Sequence, residues 1–349
     1  MRFWRGLGLA AMAMAAGAGW AQEGEAHVGL LNPAAVAYAR SSGKVFTVDT
    51  DGNAVVMTDG SGERKIGVGK GPVALAVDDA RGLVWVANAG DGRLSIVDAK
   101  NGVVIGMVDV GRNPYSVAVN AAVGKVYVTH TFNDSLTIVD EESRAVRQVK
   151  GLGADLLAVN EKAGRMYLLG YEGGDLKVLD VEGKLLAKAS PGMHAWGMVI
   201  DQATGMVFVA RTGSAEVVQF DADGKLVRRI AVGQIPSALA VDEKAGRVYV
   251  ANYGDDSMSV IDEKRGAAIA TIKVGHRPEG IAVDASRGMA AVANTQDGTG
   301  SIIDGRALRV VETSKAGRYP HAVVFDGLGQ AHVANVEREA ATVAGGKAR

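Results

Sequence analysis

A unit of about 41 residues recurs along almost the whole chain, and no other feature limits its fold so strongly. Six of the seven prolines, Pro33, Pro72, Pro114, Pro236, Pro278 and Pro320, are separated by 39, 42, 122, 42 and 42 residues. The long gap equals three units, and aligning the segments after each proline puts Ala154 and Ala195 in the two missing places. A period of roughly 20–50 residues marks a solenoid, a propeller or an array. With 349 residues the chain exceeds the roughly 250–300 that one ordinary core supports, and a repeat architecture answers that limit.

Each unit has the same order. A first run alternates, as in Ala74-Leu75-Ala76-Val77-Asp78, and a glycine turn comes after it at Gly82, Gly124, Gly164, Gly205, Gly246 or Gly288. A β-branched or aromatic run comes next, such as Val84-Trp85-Val86 or Val126-Tyr127-Val128. A third run ends in aspartate at Asp98, Asp140, Asp180, Asp221, Asp262 and Asp304, and a fourth ends in Val-Gly, as at Val110-Gly111. Four short strands per unit, divided by Asp, Gly and Asn turns, predict a four-stranded antiparallel meander. The aspartates are expected to bond backbone amides within tight turns. Small residues on the first strand (Ala76, Ala118, Ala158, Ala240, Ala282) suit the crowded centre of a radial stack. The fold class expected is therefore all-β, a β-propeller of four-stranded antiparallel blades. Counting repeat starts at 33, 72, 114, 154, 195, 236, 278 and 320 favours eight blades, with seven as the alternative. Residues 22–32 and the stretch after Pro320 together make one unit, so an N-terminal strand is expected to close the last blade.

Residues 1–21 have a basic start (Arg2, Arg5), an apolar run and a small-x-small end at Gly19-Trp20-Ala21. This is the layout of a cleavable export signal, too short for a membrane span. The expectation is a periplasmic or secreted protein without membrane insertion, one propeller domain over residues 22–349, monomeric. The chain has no cysteine, which excludes disulfides, thiolate metal sites and a cysteine nucleophile. Without Arg2 and Arg5 there are 36 basic and 39 acidic residues, a balance that argues against nucleic acid as a partner.

Tyr127-Val128-Thr129-His130 and Tyr249-Val250-Ala251-Asn252, set within Val-Gly-x-x-Pro, Ala-Val-Asp and Ser-Val-Ile-Asp, resemble the signature of the YVTN-type β-propeller repeat family, the YncE-like proteins. The resemblance runs from Val28 to about Asn335, and the fourth and fifth units depart from it at Leu168-Leu169-Gly170 and Val209-Ala210-Arg211. It implies an exported bacterial binding or surface protein, often seven-bladed. The Gly-His and Trp-Asp pairs of WD repeats and the repeated tryptophan motifs of quinone-dependent dehydrogenases are missing.

In an antiparallel blade the end of strand two lies beside the start of strand one, so both sets of residues ring one mouth of the central channel. Strand two ends at Asp49, Asn88, His130, Gly170, Arg211, Asn252, Asn294 and Asn335. The recurring asparagines read as turn caps, whereas His130 and Arg211 replace them singly and are candidate ligand contacts. Around the start of strand one, Tyr115, His194 and Trp196 are further ligand-binding candidates. Asp155, Glu279 and His321 are candidates for acid–base chemistry or for holding a divalent metal in the channel. Each of these also has a plainer role, as a satisfied histidine or a solvated rim charge. No cofactor is expected otherwise. No Gly-x-Ser-x-Gly, His-Glu-x-x-His, Walker or EF-hand string occurs. These features favour a non-catalytic binding scaffold for a protein, peptide or glycan of the cell envelope. The alternative is a lactonase-like hydrolase at the channel mouth.

Overall fold

The computed structural model describes residues 35–131, 133–170, 174–335 and 342–344. The segment read as an export signal and the closing strand expected from residues 22–32 lie outside the described residues. Within them the secondary structure is strand and turn, with no α-helix. Seven four-stranded antiparallel blades succeed one another, at residues 36–67, 72–109, 114–150, 156–189, 195–231, 236–273 and 278–315. Each is a meander whose strands pair in chain order. Residues 320–344 form a three-stranded sheet of Pro320–Phe325, Ala331–Asn335 and Thr342–Ala344. The favoured count of eight blades is corrected here to the alternative of seven, because among the described residues only seven sheets are complete four-stranded blades. The last unit's third strand is short and has no fourth strand beside it among the described residues.

The first strand of each sheet is the inner one, and it packs beside the first strand of the next. The inner strand Pro320–Phe325 packs against both Pro278–Asp284 and Val36–Ala39, completing the circuit. Hydrophobic cores therefore lie between sheets. One holds Trp85, Leu94 and Ile96 of blade 2 against Val117, Val126 and Val128 of blade 3. Another joins Ala322 and Ala334 of the last sheet to Ala35, Val36 and Val45 beside and within blade 1. The strand-two aromatics also tie neighbours together. The Tyr127 hydroxyl donates to the Val181 carbonyl of the next blade (3.0 Å), and Tyr167 donates to Ala222 O (2.9 Å). The strand-three aspartates cap their turns as expected, with Asn101 N–H on Asp98 (2.7 Å) and Arg265 N–H on Asp262 (2.8 Å).

A second repeated device sits at the channel mouth. Asn252 is fully buried, and its amide donates to Ser259 Oγ (2.9 Å) and Ser257 Oγ (3.0 Å). Ser259 Oγ also accepts the backbone N–H of Gly233 (3.2 Å). Asn88, Ser95 and Gly69 repeat the arrangement in blade 2, and Asn294 pairs with Ser301 in blade 7. The Val-Gly motif is explained by this contact. A Cβ on Gly69, Gly233 or Gly275 would fall 2.6, 2.5 or 2.6 Å from an atom of the asparagine side chain or a neighbouring aspartate. Replacing Asn252 by alanine removes both of its hydrogen bonds to buried hydroxyls, and the expected loss is about 1–3 kcal/mol, read from the urea midpoint. An unchanged midpoint in N252A would show that the amide contributes nothing to holding the turn.

Candidate functional site

The residue after each inner-strand proline occupies a special backbone position. Pro72 pairs with Asn88 and Ala74 with Ala87, so Val73 is passed over by the ladder as a β-bulge. Tyr115, Trp196, Ser237, Glu279 and His321 occupy the same bulged place in their own sheets. A bulge releases one side chain from the strand's alternation and aims it elsewhere, which is why bulges gather at functional sites. The residue before the strand is held at positive φ in the same sheets, at Asn113, His194, Ile235, Arg277 and Tyr319. For the β-branched Ile235 (φ 49°) that conformation is strained. The mouth is thus built by a constant backbone that carries variable side chains.

Three groupings result. In blade 5, Ala195 pairs with Arg211, so His194 and Trp196 flank the arginine's partner. His194 is exposed and Trp196 half-buried. Arg211 forms an ion pair with Glu216, which also binds Arg229. These two arginines hold the Glu216 carboxyl below its ordinary value against the opposing effect of burial. Glu216 and Arg229 were not singled out from the sequence. Glu216 could have been, because it stands where blades 6 and 7 have Ser257 and Thr299.

In blades 3 and 4, Tyr115 is buried and its hydroxyl is pushed up to about 12, by burial first and then by the charge of Asp155. Asp155 donates its backbone N–H to Leu169 O (3.0 Å). It stands three blades from Glu279, so the two carboxylates proposed as common metal ligands have different neighbours. Among the described residues, no group of three or more His, Asp or Glu is placed to hold a metal ion. His130 proves to be a strut. It is buried, with Nδ1 2.9 Å from Arg112 O and Nε2 2.8 Å from Thr137 Oγ. Burial lowers its pKa; Nδ1 faces the Arg112 carbonyl, and Nε2 pairs with the Thr137 hydroxyl, which also donates to the Val110 carbonyl (3.2 Å). It does the work of the asparagine in other blades, and neither ring nitrogen is left for a ligand.

The third grouping joins blade 7 to the last sheet. Glu279 and His321 occupy equivalent bulges on inner strands that pack side by side. Each encloses one polar atom without a protein hydrogen bond, Oε2 of Glu279 and Nδ1 of His321. Burial raises the Glu279 carboxyl to about 8, outweighing a hydrogen bond with Thr295 and the charge of Arg277. Burial also lowers His321 to about 4, against a hydrogen bond to the Tyr319 carbonyl. At neutral pH the pair is a protonated acid beside a neutral imidazole.

The other end of the channel has a cavity of about 750 Å³, lined by residues including Val159, Glu161, Lys162, Gln202 and Glu243. Glu161 and Glu243 each accept a backbone N–H from the preceding blade, from Ala121 (2.7 Å) and Gln202 (2.9 Å). Nearby, burial and the charge of Asp201 push Glu263 up to about 8.

The sequence matches no family model, and no curated protein matches it. Among solved structures the chain is similar to hydrazine synthase of Kuenenia stuttgartiensis, with a TM-score of 0.65 and 15% identity over 82% of this chain and 99% of that one. It is also similar to the dihydro-heme d1 dehydrogenase NirN in complex with DHE, with a TM-score of 0.65 and 14% identity over 81% of this chain and 66% of that one. These likenesses show the propeller fold.

Glu263 generates a prediction about pH. Folded, it keeps its proton to about pH 8; unfolded, it loses it near the ordinary value of 4.5. Its favourable contribution is complete below that ordinary value and declines as pH rises to about 8. Glu263→Gln stays neutral, so the variant's melting temperature minus that of the wild type should grow over this range and level off above it. A difference independent of pH would refute the assignment.

Proposed function

We propose that the chain is a binding propeller that recognises its ligand at the channel mouth, where Glu279 and His321 occupy equivalent bulges of neighbouring inner strands. The observation that carries this reading is the pair of enclosed polar atoms without protein partners, on two adjacent bulges. Burying such atoms costs free energy unless a partner arrives, so a site that keeps two side by side favours something that bonds to them. The strained residues before the inner strands and the aromatic side chains Tyr115 and Trp196 on the same set of bulges support the same end of the channel. The YVTN-type pattern in the second strands and the layout of residues 1–21 support an exported, YncE-like protein with an envelope peptide, glycan or protein as its partner.

A second reading rests on the same pair and is lactone hydrolysis. A water oxygen would bond to the acyl carbon as His321 Nδ1 takes its proton. The acyl–oxygen bond would break as Glu279 gives its proton to the departing ring oxygen.

Thermal shift with triglycine, maltotriose and γ-butyrolactone, combined with an assay for the hydroxy acid, separates these readings. The binding function predicts that at least one compound raises the melting temperature of the wild type by a few degrees, fails to do so in H321A, and is recovered unchanged. Turnover of the lactone that disappears in H321A would transfer the site to the hydrolase reading. No shift with any compound would count against recognition of these classes at the mouth.

A further inference from the structure

The hydrogens around Glu279 and His321 can be assigned from their partners. Thr295 has one hydroxyl hydrogen, and it is directed to the Pro320 carbonyl at 2.7 Å. Thr295 also bonds to Glu279, an interaction that favours the ionised carboxyl. Oε2, the carboxyl oxygen with no partner, is an acceptor whenever Glu279 is ionised. In His321 the Tyr319 carbonyl takes the ring N–H, and the neutral ring leaves Nδ1 as a lone pair too. Two enclosed acceptors therefore stand on neighbouring strands with no donor assigned to either.

The rest of the bulge positions agree in sign. Val73, Tyr115, Trp196 and Ser237 are uncharged, and no arginine or lysine occupies any of these places. Asp155, at the start of blade 4, adds a carboxylate near Tyr115. The cation that acts on Glu279 is Arg277, whose guanidinium lies over the Tyr253 ring at 5.3 Å from its centre. Arg318 likewise lies over the Tyr319 ring, at 5.8 Å from its centre, and aromatic faces with acceptors make up the chemistry that attracts positive nitrogen.

We propose that the channel mouth binds an organic ammonium group, held by Glu279 Oε2 and His321 Nδ1. An ammonium brings donors and no acceptor, which matches two lone pairs and discriminates against carboxylates and phosphates. A bound cation favours the ionised form of Glu279, so ligand uptake expels the proton that the empty site keeps. The groups that set this exchange are Glu279, Arg277, Tyr253, Thr295 and His321. The proposal rests on the channel-mouth reading and adds the class of ligand.

Calorimetric titration of the full chain with butylamine, and with butanol and butyrate as neutral and anionic controls of similar size, tests it. Only the amine should bind. Its affinity should rise by about tenfold per pH unit up to about pH 8 and then level off, with close to one proton released at lower pH in buffers of different ionisation enthalpy. Glu279→Gln keeps size and neutrality and should abolish both the binding and the proton release, while its melting temperature at pH 6 stays near that of the wild type. Equal binding of butanol, affinity independent of pH, or full binding by E279Q would overturn the proposal. If butylamine fails while maltotriose or γ-butyrolactone still gives a shift lost in H321A, the ammonium falls and the site remains. If nothing depends on either residue, both proposals fall.

Discussion

The buried asparagine amide that closes strand two onto the preceding Val-Gly turn governs how this propeller presents its channel. In blade 6 the Asn252 amide and the Gly233 N–H converge on one serine hydroxyl, and the glycine has no Cβ because the asparagine side chain lies against it. The inner strand begins immediately afterwards, at Pro236 opposite Asn252. Its first ladder pair, its bulge and its left-handed preceding residue are thus set relative to one fixed amide. In the blades that keep this amide the side chain at the bulge changes from valine to serine to glutamate without disturbing the lock. Variation at the mouth and constancy in the scaffold have the same physical origin.

Where the amide itself is replaced, the substitute shows what the position requires. His130 retains the hydroxyl partner, Thr137, and adds a bond to Arg112 O, so blade 3 keeps its closure with a larger ring. Arg211 gives up the hydroxyl partner for a carboxylate, and Glu216 recruits Arg229 as a second cation. That exchange converts a neutral lock into a cluster with two positive charges and one negative. The arginine is consequently paired within its own blade, and of its neighbours His194 is exposed and Trp196 half-buried.

Much of this was legible in the sequence, since each repeat repeats its physical causes. Proline at Pro72, Pro114, Pro236, Pro278 and Pro320 marks the start of an inner strand in every case; of the two places without proline, Ala195 starts its strand, whereas the blade 4 strand begins at Leu156, two residues after Ala154. The turn aspartates were legible too, because Asx capping needs only local geometry. The number of complete blades was not, since the repeat period counts units and does not say whether each finds four strands. Nor was the pairing of Glu279 with His321. It depends on two bulges falling at equivalent points of adjacent strands, and a one-residue change of register aims a side chain to the other face. The asparagine motif identified His130 as a departure, but its contacts with Thr137 and Arg112 follow only from the folded blade.

Three glutamates with raised pKa show why proximity to other charges does not by itself mark a site. Glu141 is held within the scaffold: Trp85 Nε1–H donates to it at 3.0 Å and Arg81 lies 2.9 Å from its other oxygen, at the seam of blades 2 and 3. Glu263 stands at the equivalent point after a strand-three aspartate, but its blade 5 neighbours are Phe208 and Thr204 where blade 2 has Trp85 and Arg81. It responds by keeping its proton near Asp201, a solution within the scaffold. Glu279 differs from both. Its principal cause is burial, no carboxylate neighbour raises it, and the nearby cation is already stacked on Tyr253. A carboxyl whose proton is retained by desolvation alone releases it when a positive group displaces that condition, so the energy stored by burial becomes selectivity for charge.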